Sequence, residues 1–559
     1  MIKSALVISV ALALGLAGGQ GALAASVPAN PMPEVTPEFL DKGKTIYFER
    51  CSFCHGMLGD GGGPAADFLD PRPRDFTLAT YKFRSTVSGA LPTDNDLFRT
   101  VSRGLQSTAM QAFDDAVIKS GLSEEERWQV IAYIKTFAME FADPELDPVK
   151  NNQVIAIPTN LAKLTPEEIA KGKDLFLKAK CWECHGKLGR GDGASKEATF
   201  KKDDWGFPIR IRNLTQPWKI KAGSEVEDIF ARLTTGITGT PMPSFVSAFP
   251  QDEDRWHIAN YIASLQNQLT EQQVLRVTKV AGDIPDDPLD KVWEQAQPMD
   301  MRLAGQVVAA PRWQNPSIDM LTVKAIANDK DIAFQLVWDD PFKDTVHQKE
   351  AEFDPSPLRQ VGNFSSYIRL AEDGAPDPEI ARGLGIFRDS VALQFPVKVP
   401  PGTKKPHFLR GESSSQVQLI KWHADLDAEG KNGAVEMNAR GWKQNPKPQA
   451  GDKQHTTAKA DWDQGRWSLV MKRSLKTGDK NDVQFEAGKF IPLAVNAWDG
   501  SNGEHNLIMS LSTWYFLFIE AGVPMNVWVS PIVAFLLTGF VGFRLIRKAK
   551  DGSQGGQAT

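Results

Sequence analysis

The chain has 559 residues, 42% of them apolar and 24% charged, ample for several cores and a membrane anchor. Its net charge of −5 is mild. The absence of a basic stripe with interleaved aromatics excludes nucleic acid as the expected partner.

Lys3 precedes an apolar stretch over residues 5–17, followed by Ala22-Leu23-Ala24, a small-x-small cleavage pattern. Residues 1–24 therefore read as a secretory signal peptide, with an uncleaved membrane anchor as the alternative. Either way the following segments are expected to cross the membrane.

Thr36-Pro37-Glu38, with Lys42-Gly43-Lys44 and Tyr47, predicts a threonine-capped amphipathic helix. It leads into Cys51-Ser52-Phe53-Cys54-His55, the attachment signature of c-type haem. Two thiols a helical turn apart can form thioethers to the two vinyl groups of one porphyrin, and the adjoining histidine reaches the iron. Downstream, Gly104 to Met110 offers a methionine followed three residues later by Phe113. A thioether opposite an imidazole raises the potential and leaves no open position for a substrate. Glu126-Arg127-Trp128 through Tyr133-Ile134 has helical apolar spacing, predicting a terminal helix whose Trp and Tyr face packs on the first helix.

After a Pro-rich connector at 143–158, the whole series recurs. Thr165-Pro166-Glu167, Lys171-Gly172-Lys173 and Phe176 precede Cys181-Trp182-Glu183-Cys184-His185; Pro241-Met242-Pro243 is followed by Phe245; and Asp254-Arg255-Trp256 through Tyr261-Ile262 closes the unit. The two motifs use all four cysteines, 130 positions apart. A four-thiolate zinc site or two redox disulfides are the competing uses of paired cysteines, but neither calls for a histidine directly after each pair.

Beyond Ile284-Pro285-Asp286-Asp287-Pro288 the pattern changes to short strands, at 317–326, 332–338, 390–395, 467–473 and 491–498. So many strands predict a mainly antiparallel β-sandwich. Residues 521–543 carry no charge and are followed by Arg544, Arg547, Lys548 and Lys550, which predicts one transmembrane helix with a cytoplasmic tail at 544–559. Pro531 and Asn526 leave a buried core helix as the alternative.

On these residues, 36–140 and 163–268 each resemble a class I cytochrome c domain. The resemblance implies a small helical fold around haem c, with His55 and Met110, then His185 and Met242, as axial pairs. The first unit departs by lacking prolines beside its methionine.

Residues 289–515 resemble the haem-binding gamma subunit of ethylbenzene dehydrogenase, a family that includes gamma subunits of dimethylsulfide dehydrogenase, chlorate and selenate reductases and related subunits of nitrite oxidoreductase. The words that carry this are Trp338-Asp339-Asp340, Phe387-Arg388-Asp389, Phe408-Leu409-Arg410-Gly411, Trp422-His423-Ala424-Asp425 and Ala497-Trp498-Asp499-Gly500-Ser501. The family implies a sandwich holding one haem b between a methionine and a lysine. Here Arg410 stands at the methionine and His423 at the lysine, and a guanidinium does not ligate iron. His407, His423 and Met509 remain the candidate ligands.

Together these readings imply a single-pass protein of a bacterial inner membrane with its bulk in the periplasm. It would relay electrons between the molybdenum and iron–sulfur subunits of an oxidoreductase and a soluble cytochrome c, an oxidase or a quinol-linked complex. The alternatives are a dihaem enzyme of peroxidase type and a dihaem cytochrome with a ligand-binding sandwich.

Overall fold

The computed structural model describes residues 28–195, 203–207, 209–347, 387–398, 404–521 and 525–554; the expected signal peptide at 1–24 lies outside them. The first helical unit begins with α1 (Pro37–Arg50), where the Thr36 hydroxyl accepts from Phe39 N and Pro37 sits at the first helical position. One turn, α2 (Ser52–His55), carries the first motif. Capping boxes then start α3 (Asp94–Arg103), through Thr93 and Asp96, and α4 (Glu124–Lys135), through Ser123 and Glu126.

The second unit repeats the plan with α5 (Pro166–Lys178) capped by Thr165, α6 (Trp182–His185), α7 (Val226–Thr235) and α8 (Asp252–Ser264). In each unit the first and last helices cross at a glycine. A Cβ on Gly43 would meet Gln129 O at 2.0 Å, and one on Gly172 would meet His257 O at 1.9 Å. Of the Trp and Tyr of each terminal helix, the tyrosine is the one that packs on the first helix: Tyr133 lies 5.5 Å from Tyr47, and Tyr261 lies 5.2 Å from Phe176. The tryptophans turn to the third helix, Trp128 to Phe98 at 4.4 Å and Trp256 to Phe230 at 5.6 Å. Trp and Tyr five positions apart on a helix are separated by well over a quarter turn, so they serve two different neighbours.

The strands follow as β1 (Val274–Lys279), β2 (Met299–Arg302), β3 (Ala304–Gly305), β4 (Met320–Ala327), β5 (Asp331–Asp339), β6 (Ser390–Pro396) and β7 (Val417–His423). After the short helix α9 (Ala424–Ala428) come β8 (Ala434–Ala439), β9 (Lys447–Pro448), β10 (Thr457–Asp463), β11 (Arg466–Ser474), β12 (Phe490–Trp498), β13 (Ser510–Leu511) and β14 (Tyr515–Ile519). They form one sheet in the order β10-β11-β5-β4-β1-β14-β12-β6-β7-β8-β9. It is antiparallel except at β1, which runs parallel to both β4 and β14. The sheet folds back on itself, since Phe334 of β5 meets Phe395 of β6 at 5.9 Å and Trp338 meets Trp422 at 5.8 Å although these strands lie far apart in the order. Alternate residues such as Leu336, Leu393, Leu469 and Leu493 fill the core between the wings.

The chain closes with α10 (Met525–Gln554). Its stretch Val529–Ala549 has mean hydropathy 1.9, and it is the one helix among the described residues long and apolar enough to cross a membrane. Phe535, Leu536 and Phe543 are exposed along it.

Candidate haem centre

Each motif occupies a single helical turn, so its two cysteines face one side together. Burial pushes the Cys51 and Cys181 thiols up to about 12, unlike the lowered thiols of redox Cys-x-x-Cys pairs. His55 Nδ1 lies 2.9 Å from Arg74 O, and His185 Nδ1 lies 2.9 Å from Arg212 O. A carbonyl can only accept, so Nδ1 carries the proton and Nε2 keeps its lone pair for a metal. Burial lowers both imidazoles, which favours this neutral form.

The methionine loops match in detail. Gly104 and Gly236 end α3 and α7 with φ of 66° and 64°, where a side chain would be strained. Leu105 N then donates to Met110 O at 2.8 Å and Ile237 N to Met242 O at 3.0 Å. Met110 N donates to Thr108 Oγ1 at 3.1 Å, and Met242 N to Thr240 Oγ1 at 3.3 Å. Phe113 N and Phe245 N close the loops on Val101 O and Leu233 O. The first loop therefore reaches the geometry of the second without its prolines.

Both sites open into one cavity of about 1350 Å³, lined by Cys51, Cys54, His55 and Met110 and also by Cys181, Cys184, His185 and Met242. That exceeds the roughly 300–1,000 Å³ of ordinary single-ligand pockets. Basic side chains line it, among them Arg72, Arg74, Arg212, Lys221 and Arg232, beside carboxylates such as Asp60, Asp70 and Asp75. Arg232 is 7% exposed, and its Nε and one terminal nitrogen have no hydrogen-bond partner among the described residues. Burial, reinforced by Arg212, depresses Lys221 to about 7.

The cytochrome c family matches residues 40–138 and 169–266. The ethylbenzene dehydrogenase family matches 290–445 and 398–510. The chain thus holds two cytochrome c domains and an ethylbenzene dehydrogenase domain. A relative from Haloferax mediterranei, named as a respiratory nitrate reductase heme subunit, is 25% identical over 236 residues, 42% of this chain and 69% of that protein. A chain of the reducing HAO-like protein complex of Kuenenia stuttgartiensis is 39% identical, with 43% of this chain and 100% of that chain covered at a TM-score of 0.38. A family 9 carbohydrate binding module from Caldicellulosiruptor kristjanssonii, in complex with glucose, is 8% identical, covering 45% of this chain and 97% of that one at a TM-score of 0.23.

Cytochrome c domains imply haem c, and the residues present fit it. Paired cysteines, an imidazole with Nδ1 turned to a carbonyl and a methionine from each unit all line the cavity, the residue types that covalent haem attachment and iron ligation call for. The orphaned nitrogens of Arg232 are donors suited to an anionic propionate.

The cytochrome c domains join through Lys82 Nζ to Asp203 Oδ2 at 2.7 Å and Arg74 stacked 4.0 Å over Trp205. Asp339 of the ethylbenzene dehydrogenase domain accepts from Asn213 Nδ2 at 2.9 Å, Thr215 Oγ1 at 3.2 Å and Gln216 Nε2 at 3.3 Å.

The sandwich candidates are not brought to the cavity, whose lining includes none of His407, His423 and Met509. Met509 is fully buried among Leu409, Trp498 and Leu511. His407 Nδ1 accepts from Leu409 N at 3.0 Å, and His423 Nδ1 lies 3.2 Å from Ser390 Oγ. Arg410 donates to Asn506 Oδ1 at 3.1 Å and Asn506 O at 2.8 Å. Sequence reasoning had no sight of the two carbonyls that hold the histidines, because Arg74 and Arg212 lie 19 and 27 residues away and any residue type supplies a carbonyl.

Proposed function

We propose that the chain is a membrane-anchored electron-transfer subunit carrying two c haems. Cys51 and Cys54 hold one with His55 and Met110 as axial ligands; Cys181 and Cys184 hold the other with His185 and Met242. When bound, each haem supplies a one-electron couple. His55 with Met110 and His185 with Met242 would ligate the two irons, and Arg232, with its unpartnered nitrogens, would pair with a propionate. The single cavity shared by both sets of ligands carries this reading, since it lets an electron pass between the domains without leaving the protein.

The printed name of the Haloferax relative supports a place in a respiratory oxidoreductase complex. The partners proposed are molybdenum and iron–sulfur subunits on one side, and a soluble cytochrome c, an oxidase or a quinol-linked complex on the other. An exposed apolar helix with Arg544, Arg547 and Lys548 near its end supports a single-pass anchor with the haem domains in the periplasm. The sandwich is proposed to hold no haem b, supported by Arg410 standing where the resembling family has its methionine and by the burial of Met509 in apolar core.

Pyridine haemochrome analysis of the purified chain tests this: two c haems and no b haem are expected, with low-spin spectra and no carbon monoxide adduct in the reduced protein. One haem per chain, or an iron that binds carbon monoxide, would overturn the closed relay and favour the peroxidase-type alternative.

A further inference from the structure

Three sequence words that the electron path leaves unused meet at one point. Asp340 follows β5, Asp389 precedes β6 and Asp499 follows β12, and one carboxylate oxygen from each lies within 4.8 Å of the others. Their side chains are 1%, 0% and 3% exposed. Asp340 Oδ1 accepts from Phe342 N at 3.0 Å, whereas its Oδ2 is buried with no hydrogen-bond partner among the described residues. Asp389 Oδ1 takes only Gly500 N, at 3.0 Å, among the described bonds and so keeps a lone pair. The bonds Asp499 accepts, from Ser501 Oγ at 2.6 Å and Asn502 N at 3.1 Å, both fall on Oδ1 and leave Oδ2.

Three buried carboxylates this close together, one of them with an oxygen that has no hydrogen-bond partner among the described residues, need either a cation or shared protons. The oxygen-only ligand set selects a hard divalent ion, and a span of 4.8 Å accommodates metal–oxygen distances of about 2.4 Å on opposite sides of one Ca²⁺.

We propose that Asp340, Asp389 and Asp499 hold a structural Ca²⁺ ion beneath the face on which the second cytochrome c domain docks. Asp339, the neighbour of Asp340, is the residue that accepts from Asn213, Thr215 and Gln216, and Asn213 directly follows Arg212, whose carbonyl orients His185. Asn502, which donates to Asp499, also bonds Arg210. The ion therefore fixes the ends of β5 and β12 that meet this loop. The site stands independently of the electron-transfer reading.

The test uses the full-length chain in detergent. Elemental analysis after chelator-free purification should find one calcium per chain besides iron. After stripping with EGTA, Tb³⁺ should give tryptophan-sensitised emission, because Trp467 Nε1 donates to Asp389 Oδ2 at 3.1 Å, and Ca²⁺ should quench it by competition. Asp340→Asn should weaken Tb³⁺ binding at least tenfold, while Asp452→Asn at an exposed site leaves it unchanged. Absence of calcium together with absence of sensitised emission overturns the proposal in favour of shared protons, as does undiminished Tb³⁺ binding in a folded Asp340→Asn protein. Should that variant fail to fold, the calcium content and Ca²⁺ competition of the wild type decide alone.

Discussion

Gly172→Ala adds one methyl group where the first and last helices of the second cytochrome c domain touch. The new Cβ would lie 1.9 Å from His257 O and 2.8 Å from Tyr261 Cβ, against an ordinary contact of at least 3.4 Å. The backbones must part by up to 1.5 Å, the difference between 3.4 and 1.9 Å. A gap of even 0.5–1 Å forfeits roughly a quarter to a half of each dispersion contact across it. The contacts at risk include Phe176, fully buried, against Tyr261. Overpacking of this kind costs about 1–3 kcal/mol, and dispersion loss along the crossing adds a similar amount, while alanine's helix propensity returns at most ~1 kcal/mol. A net loss of about 1–5 kcal/mol is expected. Thermal unfolding followed at the haem absorption band should show a lower transition for Gly172→Ala and for Gly43→Ala, with Gly451→Ala, whose Cβ meets nothing within 4 Å, unchanged. A transition at or above the wild type in both crossing variants refutes the close approach.

Asp114→Ala strands Arg127, whose guanidinium bonds Asp114 at 2.6 Å with both side chains nearly buried; a loss of about 3–5 kcal/mol in the first cytochrome c domain is expected from denaturant unfolding. Met242→Ala should open one iron, seen as carbon monoxide binding to half of the reduced haem and a lower potential for that centre. Ending the chain at Glu520 removes α10 and should move the protein from the membrane to the soluble fraction. In EGTA, the sandwich should lose stability as pH rises. Burial and neighbouring acids raise Asp340 and Asp389, and burial with Asp499 pushes Glu504 up to about 7 from 4.5. A carboxyl raised in the fold is most favourable while protonated, so this stability is complete below pH 4.5 and lost through pH 7. For Glu504 alone that amounts to about 3 kcal/mol. Calorimetry showing equal stability at pH 5 and 7.5 in chelator would contradict this.

The helical half was legible because its signals are local. Cysteine spacing, threonine caps and the paired methionines each lie within a few residues, and a duplicated pattern reports itself twice. The strand segments were likewise readable, since β4, β5, β6, β11 and β12 alternate or run apolar. Their order was not, because a parallel seam such as β1 against β14 joins residues more than 240 positions apart with no turn signal between them. Separations of 49 and 110 positions likewise hid the carboxylate cluster of Asp340, Asp389 and Asp499. Asp339 and Asp340 look alike in sequence, yet on a strand end they face opposite ways, one to the cytochrome c domain and one to the cluster. The extra strand residues Val274–Lys279 and Tyr515–Ile519 extend the sheet to either side of the expected 289–515 span, their short apolar runs masked by the adjoining proline-rich and membrane segments.

The two methionine loops differ in sequence while sharing their hydrogen bonds, so the prolines act elsewhere than on native geometry. Thr108 N donates to Leu105 O at 3.2 Å, and Thr240 N donates to Ile237 O at 3.1 Å, placing Ala109 at the position of Pro241. Both residues are exposed. A proline that fits the native conformation stabilises by about 0.4–1 kcal/mol, chiefly by restricting the open chain. The loop of Met110 lacks that restriction and should release its ligand more readily than the loop of Met242. Ala109→Pro should therefore slow imidazole displacement of Met110 about two- to fivefold, the kinetic equivalent of the same energy. Stopped-flow ligand exchange reads the two haems as separate phases. The argument fails if Ala109→Pro leaves the faster phase unchanged or accelerates it.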